Sequence, residues 1–153
     1  MNRAFIDMDG VLADFERLKN ELGVDSQTLK TMPGAYRNLL PIPGAIAGVK
    51  SLIGMGLECW VASKPPTAVP QAYADKAAWV LEHLPELKRR IILTHDKGLL
   101  GDSHDFLIDD RPHKANCERF PGRLIRFGQG IGWREIISMM REYVGQGLAA
   151  VEH

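Results

Sequence analysis

Two aspartates one residue apart, Asp7 and Asp9, close the apolar run Ala4-Phe5-Ile6, and Gly10 follows at once. Far downstream, the apolar run Phe106-Leu107-Ile108 ends in a second acidic pair, Asp109-Asp110. Bringing these two ends together gathers three or four carboxylates in one small space. Two unit charges about 4 Å apart repel by roughly 4 kcal/mol at an effective dielectric of about 20. Nothing in folding itself favours such a cluster. A divalent cation does, because its charge inverts the local logic. The pattern therefore points to magnesium-dependent phosphoryl transfer. An Asp-x-Asp alone is common in turns; its weight here comes from what accompanies it.

The elements that must position these groups are short. Apolar runs at residues 3–6, 57–62, 90–93, 106–108 and 124–127 read as strands. Several are apolar at consecutive positions, as in strands covered on both faces. Helical patterns lie between them. Residues 45–54 follow Pro43-Gly44 and repeat Ile46, Val49, Lys50 and Ile53. Residues 73–84 repeat Ala74, Ala77, Ala78, Leu81 and Leu84, and residues 133–144 repeat Ile136, Ile137, Met140 and Val144. A weaker helix is expected over 113–119. Such alternation predicts an α/β fold, a doubly wound, Rossmann-like parallel sheet.

One interval breaks the rhythm. Residues 15–42 are too long for a simple connection of about 2–6 residues. Residues 14–22 look helical, and Asp25-Ser26 could cap a second helix through Lys30. We expect a small helical cap inserted after the first strand, over the mouth of the site, within one domain spanning 1–153. Phe15 and Tyr36 look like its exposed aromatics.

Composition bounds the function. The chain has 153 residues, enough for one domain with a core. Nineteen Lys and Arg balance nineteen Asp and Glu, which predicts no nucleic-acid stripe. The two cysteines, Cys59 and Cys117, make no disulfide framework. Cys59 reads as a buried free thiol, which fits a reducing compartment, so we expect a cytoplasmic protein. A strand begins by Arg3, so no signal peptide is expected, and no apolar run reaches the length of a membrane span. The tail 145–153 carries no clear signal and is expected to fray. The five histidines lack metal-ligand spacing, and Trp60 and Trp79 read as core.

Each of the first four strands ends near a polar group: Asp7, Ser63, then Thr94 and Lys97, then Asp109. Open α/β sheets bind ligands beyond the carboxyl ends of their strands, so four strands aim chemistry at one edge.

These residues resemble the four motifs of the haloacid dehalogenase (HAD) superfamily phosphatases. Asp7-Met8-Asp9-Gly10-Val11 resembles the first, Ser63 the second, Lys97 the third and Asp109-Asp110 the fourth. Within the superfamily the chain is similar to the 5'(3')-deoxyribonucleotidases. The likeness lies in residues 7–15, in Leu40-Pro41-Ile42-Pro43-Gly44-Ala45, and in the run from Trp79-Val80 to Arg111-Pro112. The resemblance implies Asp7 as nucleophile and Asp9 as general acid and base. It implies Mg²⁺ held by Asp7, the carbonyl of Asp9, Asp109 and, through water, Asp110. Ser63, Lys64, Lys97 and the loop amides after Asp9 would hold the phosphoryl oxygens. Phe15 would contact a nucleobase, although a core role suits it equally. The implied partner is a small phosphorylated metabolite, first of all a nucleoside monophosphate. The oligomeric state stays open, with a homodimer among the options.

The chain also departs from that family. Lys64 stands where the deoxyribonucleotidases usually carry serine, and His95 where they often carry arginine. The insertion is shorter than their usual cap and lacks its tryptophans. Two alternatives therefore stay open. One is a HAD phosphatase for a sugar phosphate or a nucleic-acid terminus. The other is a non-catalytic phosphoacceptor module, which also uses acids, magnesium and a lysine, but on a middle strand.

Overall fold

The computed structural model describes residues 2–152. Its strands are β1 (Arg3–Ile6), β2 (Glu58–Ser63), β3 (Ile91–Leu93), β4 (Phe106–Asp109) and β5 (Arg123–Arg126). Each lies within one residue of its expected ends. All neighbours pair in parallel, in the order β3-β2-β1-β4-β5. The order reverses between β1 and β4, so the loops leaving these two strands part and open a crevice between them. Ile6 stands level with Ile108, and Asp7 N donates to Ile108 O at 2.9 Å. Asp7 and Asp109 are thereby set side by side.

Side chains alternate across the sheet as strand geometry requires. Ala4, Ile6, Val61 and Ile108 turn toward the main core, into which α3 (Ala45–Gly54), α4 (Pro70–His83) and α5 (Trp133–Glu152) pack. Phe5, Ala62 and Leu107 turn to the other face, under Cys117 and Phe120. That face is closed by short 3-10 turns at Lys97–Leu99 and Cys117–Arg119. The helix expected over 113–119 shrinks to the second of these turns. Ala115 and Asn116 take left-handed φ values of 51° and 54°, which no α-helix accommodates.

Local signals set the helix starts. Asp14 caps α1 (Phe15–Leu22), accepting from Arg17 N, and Asp25 caps α2 (Ser26–Thr31), accepting from Thr28 N. Helix α4 begins earlier than expected, at Pro70, because proline suits a first helical position. Its buried stripe also differs from the expected one. Ala72, Asp75, Lys76, Trp79 and Val80 face inward, while Leu81 is 51% exposed. Of the tail, residue 153 and the side chains from 147 onward lie outside the described residues. Among the described residues, no helix is long and apolar enough to cross a membrane.

Residues 15–42 leave and rejoin the core at one place. Asp14 N donates to Leu40 O, and Ile42 N to Leu12 O, both at 2.8 Å. Leu29, Tyr36 and Leu39 from this segment join the main apolar core. Its second half is tied to α4: Gly34 N donates to Asp75 Oδ2 and Trp79 Nε1 to Leu39 O, each at 2.8 Å. The aromatics expected on its surface are inside, Phe15 at 6% and Tyr36 at 2% exposure.

Helix α5 steadies the loop that follows Asp9. Trp133 Nε1 donates to the Val11 carbonyl at 2.8 Å, a buried bond. Its indole lies against Gly48 of α3, where any Cβ would overlap the ring. Trp133→Phe keeps the bulk and removes the donor, leaving a buried carbonyl unpaired. It should cost about 1–3 kcal/mol, read from urea unfolding midpoints. An unchanged midpoint would mean that the Val11 carbonyl finds another donor.

Candidate active site

The ends of β1 and β4 deliver Asp7 and Asp109, both nearly buried. Between them sits Lys97, whose Nζ donates to Asp7 Oδ1 at 2.9 Å and to Asp109 Oδ2 at 2.6 Å. Burial alone would push the Lys97 ammonium toward losing its proton. Asp7 and Asp109 outweigh that and hold its pKa above the ordinary lysine value. The Cys117 thiol also donates to Asp109 Oδ2, at 3.5 Å. Burial, followed by Asp109, pushes that thiol up to about 12, so it stays protonated.

Asp110 follows Asp109 and lies against Gly10. A Cβ on Gly10 would overlap the Asp110 carboxylate, and the φ of +84° there also favours glycine. Asp110 Oδ1 is buried without a hydrogen-bond partner. Burial, then the neighbouring Asp7 and Asp109, raise the Asp110 pKa to about 8. Asp9 also has a buried orphan oxygen, Oδ1, while its Oδ2 accepts from Lys76 Nζ at 2.9 Å. Burial raises the Asp9 pKa above the usual carboxylate value. Lys76 opposes that rise and Asp7 adds to it.

Oxygens of Asp7, Asp109 and Asp110 all lie within 4.8 Å of one another. This donor set fits a hard cation: three carboxylates, one with a buried orphan oxygen and an elevated pKa. The Asp9 carboxylate stands outside this trio because Lys76 holds it. The expected phosphate cradle from the loop amides does not form. The amides of Gly10, Val11, Leu12 and Ala13 all donate to the Met8 or Ala13 carbonyls, closing a tight turn.

Ser63 ends β2 and is 1% exposed, with its Oγ 2.6 Å from Lys76 Nζ. It stands behind the cavity wall, whereas Lys64 is exposed on it. The cavity measures about 460 Å³ and opens on Asp7, Asp9 and Lys97. Phe15 and Tyr36 contribute to its wall, their ring centroids 5.9 Å apart. Lys30, Arg111 and Lys114 also line it. Sequence reasoning missed these three cations, and it missed Lys76 altogether. A signal for Lys76 existed: it falls on one helical stripe with Ala72, Trp79 and Val80, so its charge must be buried.

The chain shares the fold of HAD hydrolases. A HAD-superfamily hydrolase from Ehrlichia chaffeensis superposes with a TM-score of 0.56 at 13% identity, over 94% of this chain and 99% of that one. L-2-haloacid dehalogenase from Xanthobacter autotrophicus gives 0.55 at 15% identity, over 90% and 83%. Residues 25–141 match the family described as "5' nucleotidase, deoxy (Pyrimidine), cytosolic type C protein", and the chain belongs to it. A Bordetella bronchiseptica protein named "Putative 5'(3')-deoxyribonucleotidase" is 34% identical, over 70% of this chain and 73% of that protein. The mouse mitochondrial 5'(3')-deoxyribonucleotidase is 30% identical, over 78% and 69%. The human cytosolic-type enzyme is 29% identical, over 78% and 75%.

The raised Asp110 pKa has a signed consequence. The folded, metal-free protein keeps a proton up to about pH 8 that the unfolded chain releases near pH ~4. Its stabilising contribution is therefore full below the unfolded value and is lost as pH rises toward 8. Metal-free melting temperature should fall between pH 5 and 8.5, and Mg²⁺ should stabilise more as pH rises. Asp110→Asn should flatten the first trend and weaken the second, as followed by thermal melts with and without Mg²⁺.

Proposed function

We propose that this chain is a Mg²⁺-dependent phosphomonoesterase of the deoxyribonucleotidase type, acting through an aspartyl-phosphate. One observation carries the reading. Asp7, Asp109 and Asp110 converge within 4.8 Å beside Lys97 at the sheet crevice, in a chain of this family. Asp7, Asp109 and Asp110 would hold Mg²⁺, which when bound offsets the charge of the phosphoryl group.

Asp7 is the nucleophile. Its carboxylate attacks phosphorus, and the bond to the ester oxygen breaks. Asp9, its pKa raised above the usual carboxylate value by burial against the opposing pull of Lys76, gives a proton to that leaving oxygen. It then takes a proton from water, which attacks the aspartyl-phosphate, releases inorganic phosphate and restores Asp7. Lys97 fixes the plane of the Asp7 carboxylate and faces the phosphoryl oxygens. Lys64, on the cavity wall, adds a phosphate contact, while Ser63 supports the site from behind that wall through Lys76. Phe15 meets the base only by the sliver of its surface left open. Two buried free thiols, Cys59 and Cys117, suit a cytoplasmic setting.

A second reading has its own observation. Among the described residues, Lys30, Lys64, Arg111 and Lys114 line the cavity with no ion-pair partner. Cations without a partner suit a substrate with a second anionic group, such as a nucleic-acid terminus. Hydrolysis of deoxyribonucleoside monophosphates, sugar phosphates and a 5'-phosphorylated oligonucleotide, each with Mg²⁺, separates the readings.

Asp7→Asn should abolish turnover on every substrate that the wild-type chain hydrolyses, with its melting transition retained. Chelation should stop wild-type turnover and added Mg²⁺ should restore it. Steady-state turnover by Asp7→Asn would remove the aspartyl-phosphate route. A phosphorylated wild-type chain that accumulates without turnover would point to a phosphoacceptor instead.

A further inference from the structure

Lys76 is 0% exposed, and its ammonium has three donors to place. One goes to Asp9 Oδ2 at 2.9 Å and one to Ser63 Oγ at 2.6 Å. The third side of the ammonium faces the ring of Tyr36, 4.3 Å from its centroid. All its donor directions are taken, so Lys76 has none left for a phosphoryl oxygen. An ammonium cannot accept a hydrogen bond. Ser63 Oγ must therefore accept from Lys76, and its own proton points elsewhere.

The same stripe of α4 holds the insertion at three places. Asp75 accepts from Gly34 N, Lys76 sits on Tyr36, and Trp79 donates to Leu39 O. Lys76 is the one member of the stripe that also reaches the acids. We propose that Lys76 is a positioning residue that joins the insertion, through Tyr36, to the acid–base carboxyl of Asp9 and to the hydroxyl of Ser63. It holds Asp9 where the carboxyl can reach the leaving oxygen, and it fixes the Ser63 hydroxyl behind the cavity wall. This inference rests on the phosphatase reading above.

The test compares two esters by kcat/KM, which reports steps up to phosphoryl transfer to Asp7. A deoxyribonucleoside monophosphate loses an alkoxide that needs the Asp9 proton. p-Nitrophenyl phosphate loses a phenolate that is stable without one. General acid catalysis contributes about 10²–10⁴-fold. Lys76→Met should therefore lower kcat/KM about 100-fold on the nucleotide and less than about tenfold on p-nitrophenyl phosphate. Tyr36→Leu leaves the bonds to Asp9 and Ser63 in place, and should give a smaller loss with the same ester selectivity. It also decides the matter if Lys76→Met fails to fold. Equal losses on both esters, or no loss on either, overturn the proposal while the phosphatase reading stands. A wild-type chain that hydrolyses neither ester overturns both.

Discussion

Carboxylates crowded at the ends of two neighbouring parallel strands are the constraint around which this fold is arranged. Side by side at roughly 4 Å, each pair of ionised groups costs about 4 kcal/mol at an effective dielectric of ~20. Two buried ammonium groups hold the cluster together, Lys97 between Asp7 and Asp109, and Lys76 against Asp9. Asp105, at the opposite end of β4, marks the contrast. It accepts from the Arg3 backbone and from its guanidinium, and Arg3 and Asp102 hold its pKa below the carboxylate norm despite the cost of burial. The protein satisfies an acid fully where nothing else depends on it. At the carboxyl edge it leaves Asp9 and Asp110 each with an unpartnered buried oxygen.

What the sequence made legible is what local physics determines. Consecutive apolar residues fix β1, β2 and β4, and Asp14 and Asp25 announce their helices by capping them. The meeting of Asp7, Lys97 and Asp109 could be read because each stands at or just beyond a strand end. Helix α4 was harder, since two stripes share its period and composition favours the wrong one. Alanines and Leu81 look like a buried face, yet the inward face carries Asp75 and Lys76. Their partners, Gly34, Tyr36, Asp9 and Ser63, come from other elements, so no window of sequence holds the reason for their burial. The helix expected over 113–119 failed for a related cause. Its residues have helical propensity, but the turn over Lys97 needs Ala115 and Asn116 in left-handed conformations: Lys97 N donates to Ala115 O at 2.7 Å.

The aromatics show how tertiary context redirects a side chain. Phe15 and Tyr36 lie on the insertion where a nucleobase could stack, but the two rings pack on each other and Lys76 sits on Tyr36. Beyond the acids, the cavity wall carries Lys30, Lys64, Arg111 and Lys114 beside apolar residues such as Pro65, Pro66 and Val69. Recognition past the phosphate is then electrostatic more than aromatic, and it weakens with salt when charges are exposed.

The stitching of residues 12–14 to 40–42 carries one more consequence. The two ends of the insertion are held together by backbone bonds that involve neither its length nor its side chains. Lengthening a flexible loop adds only about 0.6 kcal/mol per doubling once its ends are fixed. The join is therefore a socket. A longer or shorter segment can occupy it without disturbing β1, provided it brings apolar side chains in place of Leu29 and Leu39 and an aromatic face for Lys76 in place of Tyr36. In a lineage of such chains, most of the insertion can be exchanged while the strands that carry the acids stay fixed.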